Sequence, residues 1–346
     1  SRGSNIEATS KRRRLLECVR AGNLPFFDPT KRDHDKGFHD ALANLYPQFR
    51  LVSRSSLEMS VHVRVKRALE DLEAAGFFKQ DLVWVNSRLV PTRVERLLVR
   101  FVFATSFCAA TTIPPPSHLE LRSEPGLTYR YKGLRLFGLS WCCPPGESEE
   151  EWSQCRCNRA LAELWGINQA LVAATKSEAG AHGSSCDEAA STQRALFGYN
   201  VALINYLWPG AGSVLRGEPY YGLGDMAVSW HADDGLLEGS AIAVYNAMPA
   251  PHNIGDAAEE KHDDVPWRVG LKVAWDVETP AVAVPMADGE AYVMLPGFNE
   301  RHQHCVLAGA GPRFSSTHRV VDATHASVDA ALAQSWAVLA AEAGAG

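Results

Sequence analysis

An α+β fold built on a double-stranded β-helix, or jelly roll, with buttressing helices is what this sequence predicts, and three observations predict it. After Arg194 the chain breaks into short apolar runs bounded by turn residues, with no helical periodicity between them. Before that point, apolar residues recur at helical spacing in long stretches. The composition, 46% hydrophobic and 21% charged across 346 residues, is that of an ordinary globular chain able to bury one large core. Many short strands without intervening helices close most simply into an antiparallel sandwich or barrel.

The elements follow in order. Residues 1–35 read as a disordered or basic N-terminal tail, and 36–346 as a single catalytic domain. Within the tail, Lys11, Arg12, Arg13 and Arg14 read as the solvated start of a helix or as a nuclear signal. In 36–193, Leu42 and Leu45, then Leu57, Val61, Val65, Leu69 and Leu72, mark two amphipathic helices joined near Tyr46-Pro47. Asp81 to Phe107 is dense in β-branched and aromatic residues. Ala109 to Ser117 is proline-rich loop, and alternation resumes at Thr128 to Tyr131. Trp152, Leu161, Leu164 and Leu171 mark a long helix within Glu147 to Ala179. The jelly-roll core, 194–325, holds eight strand runs: Asn200 to Leu207, Met226 to Trp230, Ser240 to Tyr245, Val269 to Trp275, Ala281 to Val284, Ala291 to Leu295, Cys305 to Leu307 and Phe314 to Val320. Pro249 to Pro266 is an acidic surface loop between two of them, and 326–346 is a closing helix.

Charge and cysteine content restrict function. A net charge of -6 excludes a broad basic face gripping duplex phosphates but leaves room for a local basic groove. No apolar run is long enough to span a bilayer, so no membrane association is expected, and no obligate protein partner is evident. The eight cysteines are scattered, which favours reduced thiols in a nuclear or cytoplasmic compartment. Cys142, Cys143, Cys155 and Cys157 are a weaker candidate for a four-thiolate zinc site, because adjacent cysteines make poor tetrahedral partners.

The chemistry is concentrated in two segments. His231 and Asp233 lie two apart at a strand end, where period-two alternation turns both side chains into one cavity. His304, beside a later strand, completes two histidines and one carboxylate. That set leaves three adjacent metal positions open, so ferrous iron can hold a bidentate co-substrate and dioxygen together. A short distance on, Arg313, Ser315, Thr317 and Arg319 share one face of a strand while Phe314, Ser316 and His318 share the other. If the first face is turned inward, two guanidinium groups and two hydroxyls demand an anionic ligand, with Arg313 forking onto a carboxylate that Ser315 also contacts. If it is turned outward, the strand is an ordinary wet edge.

At these residues the chain resembles the FTO family, nucleic-acid demethylases related to the AlkB dioxygenases. The resemblance is carried by MAVSWHADD (Met226 to Asp234), KVAWDVETP (Lys272 to Pro280), GEAYVML (Gly289 to Leu295), HQHCVLAG (His302 to Gly309) and PRFSSTHRV (Pro312 to Val320). It implies iron(II) on His231, Asp233 and His304, and 2-oxoglutarate held by Asn205, Tyr292, Arg313, Ser315 and Arg319, with Thr317 on the same face. Taken alone, Asn205 and Tyr292 read as satisfied core polar residues in apolar strands. The resemblance further implies a base pocket of Arg96, Tyr129 and Tyr131 with Ser229, Trp230 and Asp234. A tyrosine pair two apart suits either base stacking or cross-strand packing. The implied partner is single-stranded RNA or DNA carrying N-methylated bases such as N6-methyladenine.

Several positions depart from the family pattern. Asp234 stands where a glutamate is usual, Lys132 where an apolar residue is usual, and Ala104 to Glu124 is an insertion. The family's helical C-terminal domain is expected to be absent. Two other readings share parts of this pattern: a 2-oxoglutarate-dependent hydroxylase of a small molecule or protein side chain, and a non-catalytic reader of methylated nucleic acid.

Overall fold

The computed structural model describes residues 13–14, 16–18, 24–30, 35–85, 88–100, 128–131, 134–137, 156–181, 196–208, 216–249, 265–276 and 278–321. The expected 326–346 helix, the Pro249 to Pro266 loop beyond its ends, Lys132 and the proposed zinc thiolates of Cys142, Cys143 and Cys155 lie outside them.

Two facing sheets form the jelly roll. Strands are β1 (Phe26–Phe27), β2 (Phe49–Val52), β3 (Lys79–Val85), β4 (Arg88–Arg100), β5 (Thr128–Tyr131), β6 (Leu134–Phe137), β7 (Val201–Leu207), β8 (Arg216–Gly217), β9 (Asp225–His231), β10 (Ile242–Ala247), β11 (Trp267–Val273), β12 (Ala281–Met286), β13 (Ala291–Met294), β14 (His302–Leu307) and β15 (Arg313–Arg319). The smaller sheet runs β1-β12-β11-β14-β9-β8 and the larger β2-β13-β10-β15-β7-β4-β3, with β5 and β6 as a separate ribbon. Helices are α1 (Asp35–Leu45), α2 (Met59–Ala74), α3 (Arg156–Ala181) and the single turn α4 (Phe298–Arg301).

Alternation along the strands sorts side chains between two layers. Outward residues of the larger sheet, among them Ile204, Tyr206, Tyr245, Val293 and Phe314, bury themselves under Val65, Leu69 and Leu72 of α2 and Leu161, Leu164 and Leu171 of α3. Inward residues Val244, Tyr292 and Met294 meet Val269, Leu271, Val282 and Val284 of the smaller sheet. A second inward cluster, Val94, Leu207, Val228, Trp267 and Val306, closes the other end. Covering one face of the larger sheet with helices while facing the other with a second sheet explains why β7, β10 and β15 are buried throughout.

Two sequence expectations are corrected. The helices of 36–78 are not joined directly: β2 lies between them and pairs antiparallel with β13. Its four residues are too short to show a strand period inside a helical stretch. The tail is also shorter than 1–35, since β1 pairs parallel with β12 and the adjacent Asp28, wholly buried, accepts a hydrogen bond from Arg268. That ion pair, formed across most of the chain length, has no local sequence signature.

Candidate metal centre and its anion-binding face

His231 closes β9 and stands opposite His304 of β14, their rings 4.2 Å apart between centroids. One ligand atom from each of His231, Asp233 and His304 falls within 4.8 Å of the other two. Asp233 lies past the end of β9, so strand alternation alone does not aim it. Asn299 of α4 does: it accepts from the Asp233 amide and donates to its carbonyl, both at 2.8 Å. Arg319 then forks onto the carboxylate, Nε to Oδ2 at 2.9 Å and Nη2 to Oδ1 at 2.8 Å. Each oxygen keeps a further lone pair for a metal.

Protonation suits ligation. Burial raises the Asp233 carboxyl, but Arg319 and the two histidines outweigh it and hold the group well below the ordinary carboxylate range. Burial, joined by His231 and Arg319, pulls His304 down to about 3 and keeps its imidazole neutral. The Nδ1–H of His231 donates to the Ser229 carbonyl at 2.8 Å, which frees Nε2 as a metal donor. Two imidazoles and one carboxylate, all on one side, fit a ferrous centre with open positions.

β15 presents its polar face inward, as the first of the two strand readings requires. Arg313, Ser315, Thr317 and Arg319 are all buried. On the other face, Phe314 stacks on Tyr206, and His318 bonds Asn168 of α3 at 2.7 Å. Ser315 heads a polar row across the larger sheet, opposite Asn246 of β10 on one side and Asn205 of β7 on the other, with Arg96 of β4 opposite Asn205. Arg313 is wholly buried and, among the described residues, has no carboxylate partner. Its Nε and Nη2 donate to Asn246 Oδ1, its Cζ lies 5.4 Å from the centroid of the Trp267 ring, and among the described residues Nη1 has no hydrogen-bond partner. A buried guanidinium donor left open in this way fits an anionic ligand such as the carboxylate of 2-oxoglutarate. Tyr292, stacked on Phe49, lies within electrostatic reach of Arg313, Asp233 and Arg319; burial pushes its hydroxyl up to about 12, so it stays protonated.

The expected base-side residues are less uniformly placed. Arg96 is buried and donates to Asn205 Oδ1, so two residues assigned separate roles are bonded to each other. Trp230 faces away from the metal ligands. Its indole donates to Glu218 at 2.7 Å and packs on Tyr221, in the cluster with Cys305, whose side chain points oppositely to that of its neighbour His304. Ser229 is exposed and meets His231 through its carbonyl. Asp234 is exposed and accepts from the Gly235 amide at 2.8 Å. Tyr129 and Tyr131 sit on β5, opposite Leu136 and Leu134 of β6, and their side chains lie outside the described residues. Sequence reasoning missed Asn246 and Asn299; the only signal for Asn246 was an amide inside the apolar run Ile242–Ala247.

A jelly roll with an inward metal triad and an uncompensated arginine beside it defines a metal centre of the two-histidine, one-carboxylate class. Residues 36–101 and 117–322 match the family described as the FTO catalytic domain, and the chain belongs to that family. It is 32% identical over 341 residues to the alpha-ketoglutarate-dependent dioxygenase FTO of Xenopus laevis, covering 92% of this chain and 62% of that protein. The chain thus spans less than two thirds of that relative's length. Solved structures with similarity include a prolyl hydroxylase in complex with a hypoxia inducible factor oxygen degradation domain peptide fragment, from Trichoplax adhaerens. It is 13% identical with a TM-score of 0.40, over 84% of this chain and 90% of that one. Another is JOX2 in complex with 2OG, Fe and JA, 10% identical with a TM-score of 0.42, over 87% of this chain and 75% of that one. Among the described residues no helix is long and apolar enough to cross a membrane.

Proposed function

We propose that this chain is an iron(II)- and 2-oxoglutarate-dependent dioxygenase that oxidatively demethylates N-methylated bases, such as N6-methyladenine, in single-stranded RNA or DNA. The observation that carries the reading is the inward face of β15, which fixes the metal carboxylate with Arg319 at one end and leaves Arg313 open to a carboxylate at the other. Iron and 2-oxoglutarate, once bound, supply with dioxygen the means to hydroxylate an N-methyl group, which then leaves as formaldehyde.

The protein's own contribution is positioning and exclusion of water. His231, Asp233 and His304 hold the metal on one side, while Asn299 and Arg319 keep Asp233 aimed. Arg313, Ser315, Asn205 and Tyr292 orient the co-substrate, and the apolar clusters at either end of the inward face keep the site dry. Arg96, tied to Asn205, brings a base-edge donor to the border of the co-substrate site. Tyr129 and Tyr131 supply stacking faces and Asp234 a base-edge acceptor. A base must arrive unpaired to reach such an interior, which suits a chain of net charge -6 better than duplex gripping. The basic run Lys11 to Arg14 supports a nuclear site of action, in RNA modification or DNA repair.

The test is a panel of single-stranded and duplex oligonucleotides carrying different N-methyl bases, followed by nucleoside mass spectrometry with iron(II), 2-oxoglutarate and ascorbate. Demethylation of single strands that falls at least tenfold on Arg96→Ala is expected. Failure on every methylated base, alongside turnover of a small molecule or peptide, would replace the nucleic-acid substrate with the hydroxylase reading.

A further inference from the structure

The wholly buried side chain of Asn246 is bonded on both of its polar atoms. Its Nδ2 donates to the Glu290 carbonyl at 3.0 Å, so the orientation of the amide is fixed. Its Oδ1 must therefore face Arg313, and it accepts from both Nε and Nη2. The guanidinium is held on one edge by a neutral acceptor and lies over the Trp267 ring. Its remaining donor, Nη1, is buried and has no partner among the described residues. A carboxylate in place of that amide would bond the same two nitrogens equally well, but it would neutralise the arginine. An amide aims the group and leaves its charge uncompensated.

Resting on the reading above, we propose that Asn246 is the positioning residue for co-substrate capture. It locks Arg313 with Nη1 presented and the positive charge unspent, so that the carboxylate of 2-oxoglutarate remote from the metal completes the ion pair. Ser315, opposite Asn246 in register, adds a hydroxyl at the same place. The choice of asparagine over aspartate is then functional as well as structural: the amide satisfies the Glu290 carbonyl, and only a neutral side chain leaves a vacancy for an anion beside Arg313.

The experiment measures 2-oxoglutarate affinity by calorimetry on the whole chain loaded with manganese(II) in place of iron, with manganese affinity measured separately. Asn246→Asp should keep its manganese affinity while losing about 100-fold in 2-oxoglutarate affinity, whatever the lost bond to the Glu290 carbonyl does to its thermal midpoint. Asn246→Ala should lose about tenfold, and in turnover should raise the KM for 2-oxoglutarate with kcat unchanged. An Asn246→Asp protein that binds 2-oxoglutarate within threefold of the parent overturns the proposal. So does an Asn246→Ala protein whose manganese affinity falls in step with its 2-oxoglutarate affinity, since that marks general loosening. A parent chain that binds manganese but no 2-oxoglutarate overturns the oxygenase reading itself, and needs no variant to reveal it.

Discussion

The fork of Arg319 onto Asp233 fixes the metal carboxylate in both charge and orientation. It holds a fully buried carboxylate ionised and rotationally fixed, which a lysine cannot do because an ammonium lacks the planar pair of donors. Arg319→Lys should weaken manganese(II) binding by about 10- to 100-fold, read by competition with a chelating dye; unchanged affinity would remove Arg319 from the site. Period-two alternation made the shared face of Arg313, Ser315, Thr317 and Arg319 legible in the sequence. It did not reveal which of the two arginines serves the metal carboxylate, because that depends on where Asp233 sits beyond the strand end. Asn246 and Asn299 were illegible for a related reason: an asparagine in an apolar strand or a short turn carries no sign of its partner. Residue by residue, histidines set the response to acid. His304 and His318 are both drawn down to about 3, chiefly by burial. Between about pH 6.5 and about pH 3 the unfolded chain binds protons there that the folded chain does not. Stability of the metal-free protein therefore falls as pH drops through that window, by about 1.4 kcal/mol per pH unit for each such histidine once well below 6.5. Asp233 adds to the loss at the acid end, where its unfolded form takes a proton and its folded form resists. Urea midpoints measured from pH 7 to pH 4 should decline steadily, and a flat profile would contradict the burial of neutral imidazoles.

Among the elements, the pairing of β9, β14 and β11 matters most, because it puts His231 opposite His304. Gly270 of β11 stands opposite Cys305. A Cβ there would lie 2.6 Å from the Cys305 Sγ and 3.0 Å from the Trp230 ring, so the strands reach their register only because that side chain is missing. Gly270→Val should cost about 1–3 kcal/mol of stability, read from urea unfolding, and should weaken manganese binding as well, since both displaced groups adjoin metal ligands in sequence. On the far side of the larger sheet, α2 is fastened by His62. The Tyr245 hydroxyl donates to its Nδ1, and its Nε2–H donates to Asp288 at 3.2 Å. Asn168 and His318 fasten α3 in the same manner. Helices and long strands were legible at this scale because burying one face leaves a period. The strands β1 and β2 were not, being too short to show one and defined by partners far along the chain.

Taken whole, the molecule is two sheets with an apolar cluster at each end of their shared interior and a polar band between. The larger sheet is backed by helices and the smaller presents the histidines. The fold class was readable because eight turn-bounded runs permit few closures; the base-side surface was not. Arg96 is drawn into the co-substrate row, Trp230 turns away from it, and Tyr129 and Tyr131 belong to a separate ribbon. Substrate choice depends on elements whose mutual placement no local pattern encodes, whereas the metal ligands and the arginine-bearing face lie on or beside three strands, β9, β14 and β15. One inward face couples a metal triad to an anion-holding arginine, and oxidative demethylation is the activity we propose for it. The most direct measurement follows succinate, formaldehyde and unmethylated nucleoside together from one methylated single strand. Equal amounts of all three are predicted from the parent chain, with formaldehyde and nucleoside abolished in both His231→Ala and Arg313→Ala. Demethylation that survives either substitution would contradict the account.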